Sequence, residues 1–136
     1  MTKQSGKSKT QAQDSDKLLK RTREKLAKNE EKFRHTLNNL DEAYFSTALD
    51  GTLLEHNQAL NRILGFDIHQ DLTGFHIPDL WENQQERLHY LKTLLANNSI
   101  SKYEIKAKTK QGKPIMLLAS AHLIKDELNR PQRIEG

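Results

Sequence analysis

Six histidines, at positions 35, 56, 69, 76, 89 and 122, are the residues of this 136-residue chain with the widest chemical reach. A helical metal site wants two of them at i, i+4 with a carboxylate beside them, and no pair has that spacing. The chain has no cysteine, which excludes thiolate ligands, disulfides and a cysteine nucleophile. A serine–histidine–aspartate arrangement finds no place either. Asp50 belongs to a turn, Asp126 and Glu127 fall in the last loop, and no such order sits on suitable elements. Glycine is sparse at six residues, and no loop has the glycine pattern that cradles phosphate. His35 lies in a helical stretch, but Phe33-Arg34-His35-Thr36-Leu37 lacks the acidic residue that follows a phosphoacceptor histidine. These residues point away from an enzyme and away from a metal site.

What they leave open is binding. Met116, Leu118, Ser120 and His122 share one face of an apolar strand, where Ser120 and His122 would be polar handles among apolar walls. Tyr103 and Ile105 come from the strand before it, and Trp81, Leu88 and Leu91 from a helix. These nine are the candidate pocket residues, with the face of the 115–124 strand chosen by alternation alone. The competing arrangement is a filled core of Phe66, Phe75, Trp81 and Leu88, which would leave a ligand-free interaction module. Cavity volume separates the two.

The elements that must position these residues are legible in outline. Residues 1–16 are Lys, Gln, Ser and Thr with little to bury, and are expected to be a disordered basic leader. Asp14, Ser15 or Asp16 could cap a helix over 17–40, which contains neither Gly nor Pro. Leu19, Leu26, Phe33 and Leu40 fall seven apart in it, one seam of a coiled coil. Of the companion seam positions only Leu37 is apolar, so these five are the candidate dimer-helix residues. One amphipathic helix lying on its own domain is the alternative.

Residues 43–49 and 52–56 flank Asp50-Gly51, a hairpin signal because the turn needs positive φ. Asn57 stands where a helix N-cap belongs, ahead of Ala59, Leu60, Ile63 and Leu64, and Gly65 supplies a left-handed C-cap. Trp81, Leu88, Leu91 and Leu95 predict one face of a helix over 82–96, ended by Asn97-Asn98. Tyr103, Ile105 and Ala107 alternate with Glu104, Lys106 and Lys108 as a half-exposed strand. After the turn at Gln111-Gly112, the run 115–124 is apolar at nearly every position. A strand apolar on both faces must be covered on both. Small helices cover one; the N-terminal helix, a second subunit, or both must cover the other. The expected fold is α+β: about five antiparallel strands with short helices on one face, after a long N-terminal helix.

Charge and hydropathy set outer limits. Residues 1–28 carry nine Lys/Arg against three Asp/Glu, a balance of +6, while 29–136 carry thirteen against fifteen, a balance of −2. The basic leader could hold nucleic acid by charge, but no aromatic residue is interleaved to stack on bases, so a solvated leader is the favoured reading. No apolar run approaches the ~20 residues of a membrane helix, and no hydrophobic stretch follows the basic start as in a secretory signal. Cytoplasm is the default compartment.

Several loose motifs stand in a telling order: Phe33-Arg34, Asp50-Gly51, Asn57 then Ala59, Leu64-Gly65-Phe66, Leu72-Thr73-Gly74 and Asp79-Leu80. Leu94-Leu95 before Tyr103-Glu104, Gly112 at the turn, and Arg133-Ile134-Glu135-Gly136 complete it. That succession, over residues 30–136, resembles a PAS domain of the bacterial sensory-box type, as in sensor histidine kinases and diguanylate cyclases. The usual Asp before the turn glycine is Gln111 here, and the last strand, which normally runs on, stops at Gly136.

The resemblance implies residues 41–136 as the PAS domain with its last strand cut short, in a fragment of a longer protein or a minimal piece. It also implies a cytoplasmic sensory module that binds a small ligand and relays through helix packing in a homodimer. The effector, of histidine kinase or diguanylate cyclase type, would lie elsewhere in the parent chain. Relatives use flavin, haem, small organic molecules or nothing. Flavin adduct photochemistry needs a cysteine and is excluded by the composition. Haem would hang from a histidine on the long helix, where His89 is the candidate, but its phase is not that of Leu88, Leu91 and Leu95. No tight cofactor is the expectation.

Overall fold

The computed structural model describes residues 2–136, with side chains described from Ala12 onward. Met1 and the side chains of residues 2–11, where part of the basic leader falls, lie outside the described residues. The chain divides into two compact units, Met1–Thr36 and Leu37–Gly136.

The first unit is helix α1 (Thr2–Asn38), whose last two residues belong to the second unit. It starts well ahead of Lys17, so the leader expected to lack regular structure is helical. Asp14, Ser15 and Asp16 are interior to α1 rather than caps. Nothing in the leader breaks a helix: it has no proline, one glycine, and several Lys and Gln that lose little in a helix. Leu19, Leu26 and Phe33 are exposed along it. Leu37 differs, being buried in the second unit, and Leu40 lies past the helix end. The seam of five residues is therefore three residues long on α1.

The second unit is one antiparallel sheet in the order β2-β1-β5-β4-β3. β1 (Phe45–Ala48) and β2 (Leu53–His56) form the expected hairpin, with Gly51 at φ 93° in its turn. A Cβ at Gly51 would lie 2.3 Å from Pro78 Cγ, so both conformation and space demand glycine there. Helix α2 (Gln58–Leu64) follows, capped by Asn57 and closed by Gly65 in the left-handed region. A short 3-10 helix (Ile77–Leu80) leads to α3 (Gln84–Asn97), where Asn83 accepts from the N–H groups of Gln85 and Glu86. Asn98, at φ 65°, ends α3 as expected. β3 (Ser99–Lys108), β4 (Pro114–Lys125) and β5 (Pro131–Glu135) complete the sheet.

Two faces predicted from the sequence are shifted. On β4 the inward residues are Ile115, Leu117, Ala119, Ala121 and Leu123, while Met116, Leu118, Ser120 and His122 point outward and are exposed. The strand is apolar on both sides, so alternation had no polar contrast to fix its phase. On α3 the buried pair is Tyr90 and Leu94, while Leu88 and Leu95 are exposed. Both possible stripes contain Leu91, and a half-apolar helix with leucines on two sides offers no single answer.

The core has two parts. Tyr90, Leu94, Ile100, Ile105, Ala121, Leu123 and Ile134 pack around α3 and the β3–β5 strands. Leu53, Leu60, Leu64, Phe66 and Leu72 pack around α2. Phe45, Ile115 and Leu117 touch both groups without being fully buried.

Candidate functional site

Between the two core groups lies a cavity of about 630 Å³, within the range of small-molecule sites. Phe45 and Thr47 of β1 and Leu49 in the turn after it form its floor with Ile105, Ala119 and Ile134 of the neighbouring strands. Leu60, Ile63 and Leu64 of α2 make one wall, and Trp81, Tyr90 and Leu91 the opposite one. The walls are mainly apolar, and polar groups enter at few points.

One such point is Arg87, three residues before Tyr90 on α3 and so on the same helix face. Its Nη2 donates weakly to the Leu49 carbonyl at 3.4 Å, and it has no ion pair among the described residues. Burial pushes the Tyr90 phenol up to about 12, against a lowering pull from Arg87. Tyr90 also stacks edge-on with Tyr103, at 5.6 Å between centroids, and tilts against Trp81 at 5.2 Å. Its hydroxyl is therefore held neutral, as a donor. Thr47, almost fully buried, presents a second hydroxyl.

The cavity has another polar end. Asp41, Glu42, Lys102, Leu118 and Ser120 rim an opening beside Gly136. β4 pairs with β5 over His122–Lys125, and Gly136 exchanges hydrogen bonds with Phe45 of β1. Leu118 and Ser120 line this end although they lie on the exposed face of β4.

Of the nine candidate pocket residues, the structure brings Trp81, Leu91 and Ile105 to the cavity wall, and Leu118 and Ser120 to its rim. Tyr103 stands one layer back, against Tyr90. Leu88, Met116 and His122 are not at the cavity: each is exposed, for the reasons of phase given above. His89 is exposed too, over a shallow depression with Glu86, Lys106 and Met116, and does not line the cavity. Sequence reasoning missed Arg87, Thr47 and Tyr90. A signal existed for α3, because Arg87, Tyr90 and Leu94 recur at helical spacing, but a lone arginine reads as surface.

A second set of contacts ties the cavity wall to α1. Asn57 is buried, and its Oδ1 accepts from Tyr44 N at 2.9 Å and Leu60 N at 3.1 Å. Its Nδ2 donates to Leu37 O at 2.9 Å and Glu42 O at 2.8 Å, so the amide is fully satisfied. Gln58 N donates to Asn38 Oδ1 at 3.2 Å. The last turn of α1 is thus stitched to the first turn of α2.

Comparison with known proteins places this arrangement. The family model for the PAS fold matches residues 31–134. No curated protein sequence matches the chain. Among solved structures, a PAS domain from a two-component sensor histidine kinase is similar at 20% identity and a TM-score of 0.63, over 80% of this chain and 93% of that one. The PAS domain of an HTR-like protein from Haloarcula marismortui has 20% identity and a TM-score of 0.58, over 85% and 94%. A Rhodobacter sphaeroides LOV protein has 17% identity and a TM-score of 0.63, over 81% and 65%. At such identities the likeness is one of fold. With the sheet order, the helices on its inner face and a family match across most of the sequence, the chain belongs to the PAS family.

Proposed function

We propose that this chain is a sensory module that takes a small ligand into the cavity between its two core groups and relays occupancy through α1. The cavity carries the reading: a tightly packed interior would have left only surface work. Relay has a route through hydrogen bonds. A ligand against Leu60, Ile63 and Leu64 bears on α2, and Asn57 and Asn38 join α2 to the end of α1. A ligand drives such a change only through different affinities for the two packings.

The module works as a non-catalytic homodimer in the cytoplasm, with an effector of histidine kinase or diguanylate cyclase type in its parent protein. Exposed Leu19, Leu26 and Phe33 support pairing through α1. Among the described residues no helix is long and apolar enough to cross a membrane. Native mass spectrometry of freshly purified protein, with an absorption spectrum of the same sample, tests the reading. Excess mass lost on denaturation supports it. An apo dimer whose mass and spectrum are unchanged by any added small molecule overturns it.

The outer sheet face favours a second reading, an interaction module. Met116 is 56% exposed and Leu118 68% exposed there. On that reading a partner covers this face and the cavity has no resident.

A further inference from the structure

Arg87 is an arginine half-buried at the wall of an apolar cavity, and no carboxylate of the described residues pairs with it. Its single hydrogen bond, to the Leu49 carbonyl, is long and uses one of five donors. Asp50 feels the guanidinium only as the least of the influences on it, and is fully exposed with its carboxylate already accepting from Thr52 N. Four of its five donors are left to water or to an anion that enters the cavity.

The groups around it suit one kind of anion. A planar guanidinium matches a carboxylate with two parallel hydrogen bonds. Tyr90, one turn along α3, and Thr47, two residues before Leu49, add neutral hydroxyl donors from two other directions. Beyond them the walls turn apolar through Phe45, Ile134 and Ala119. β1 spans three steps from Phe45 to Ala48, roughly 10 Å at the rise of a strand, before the turn that carries Leu49. Asp41, Glu42 and Lys102 line the cavity at the Phe45 end, two carboxylates against one ammonium, so that end keeps a net negative charge that disfavours the head of an anion lying in the reverse sense.

We infer that the cavity takes an organic monocarboxylate with an apolar body, its carboxylate held by Arg87 and its body lying along β1 toward Phe45. This inference rests on the sensory reading above and adds the class and orientation of the ligand.

Trp81 is the chain's single tryptophan and lines the cavity, so its fluorescence reports occupancy directly. The test is titration with octanoate and with octanamide, its neutral counterpart, on the full chain and on Arg87→Gln and Arg87→Lys variants. The expected result is an octanoate response weakened about tenfold or more by Arg87→Gln, and less by Arg87→Lys. Octanamide should bind more weakly than octanoate and be indifferent to either variant. If octanamide binds as well as octanoate, or Arg87→Gln leaves octanoate binding unchanged in a protein with wild-type circular dichroism, the carboxylate inference is wrong and the sensory reading stands. If neither compound changes Trp81 emission at millimolar concentration, the carboxylate inference falls, and the sensory reading is decided by the mass-spectrometric test.

Discussion

Asn57 shows how much one residue can join. Its amide makes four hydrogen bonds in a site sealed from water, to Tyr44, Leu60, Leu37 and Glu42. Asn57→Ala strands those partners, and we expect a loss of about 3 kcal/mol by urea unfolding. A loss below about 1 kcal/mol would mean that water replaces the amide. Asp50, Asp71 and Asp126 make a related but exposed motif. Each carboxylate closes a turn by accepting backbone N–H groups, from Thr52, Thr73, and both Leu128 and Arg130. Hydrogen bonds from Thr52, Thr73 and Arg130 are the leading reasons that the three carboxyls stay below the ordinary value of 3.8. A lowered carboxyl contributes stability that is present above the unfolded value and is lost as pH falls through the folded one. Stability should therefore decline below about pH 4, and the triple Asp→Asn variant, which keeps the acceptor oxygens, should decline less. Equal slopes for the two proteins in acid denaturation would remove these turns from the explanation. Signals of this kind were legible in the sequence, since Asp50-Gly51, Asn57 and Gly65 each carry a local chemistry that few other residues can supply.

At the scale of elements, legibility depended on contrast. β3 was read correctly because Tyr103, Ile105 and Ala107 alternate with charged neighbours. β4 gave no such contrast, and its inward face was set by something outside its own sequence, the pairing with β3 that aligns Ile105 with Leu117 and Ala107 with Ile115. Two of the nine candidate pocket residues, Met116 and His122, went astray with it. α3 failed for a similar reason, since the choice between Leu88 and Tyr90 depends on which side meets the sheet. Ala119 now stands on the floor of the cavity, where a larger side chain has space. We expect Ala119→Leu to raise stability by about 0.5–2 kcal/mol in thermal unfolding and to abolish the Trp81 response to octanoate. A drop in stability would show that the strands there close up rather than leave room.

At the scale of the whole molecule, the outward faces remain to be accounted for. Leu118→Glu puts a charge on the exposed face of β4 and should shift the protein to a monomer in sedimentation analysis, with monomer stability changed by less than about 0.5 kcal/mol. A dimer that survives the substitution would place the contact on α1 alone. The division of the core has a further consequence. Tyr90, which with Arg87 on the same helix would choose the ligand, stands in one core group, while Leu60 and Leu64, which would feel it, stand in the other. Substitutions on α3 can then alter what is recognised without disturbing the stitch at Asn57 that carries the response. A lineage built on this plan can acquire new chemical tastes while keeping one inherited wiring.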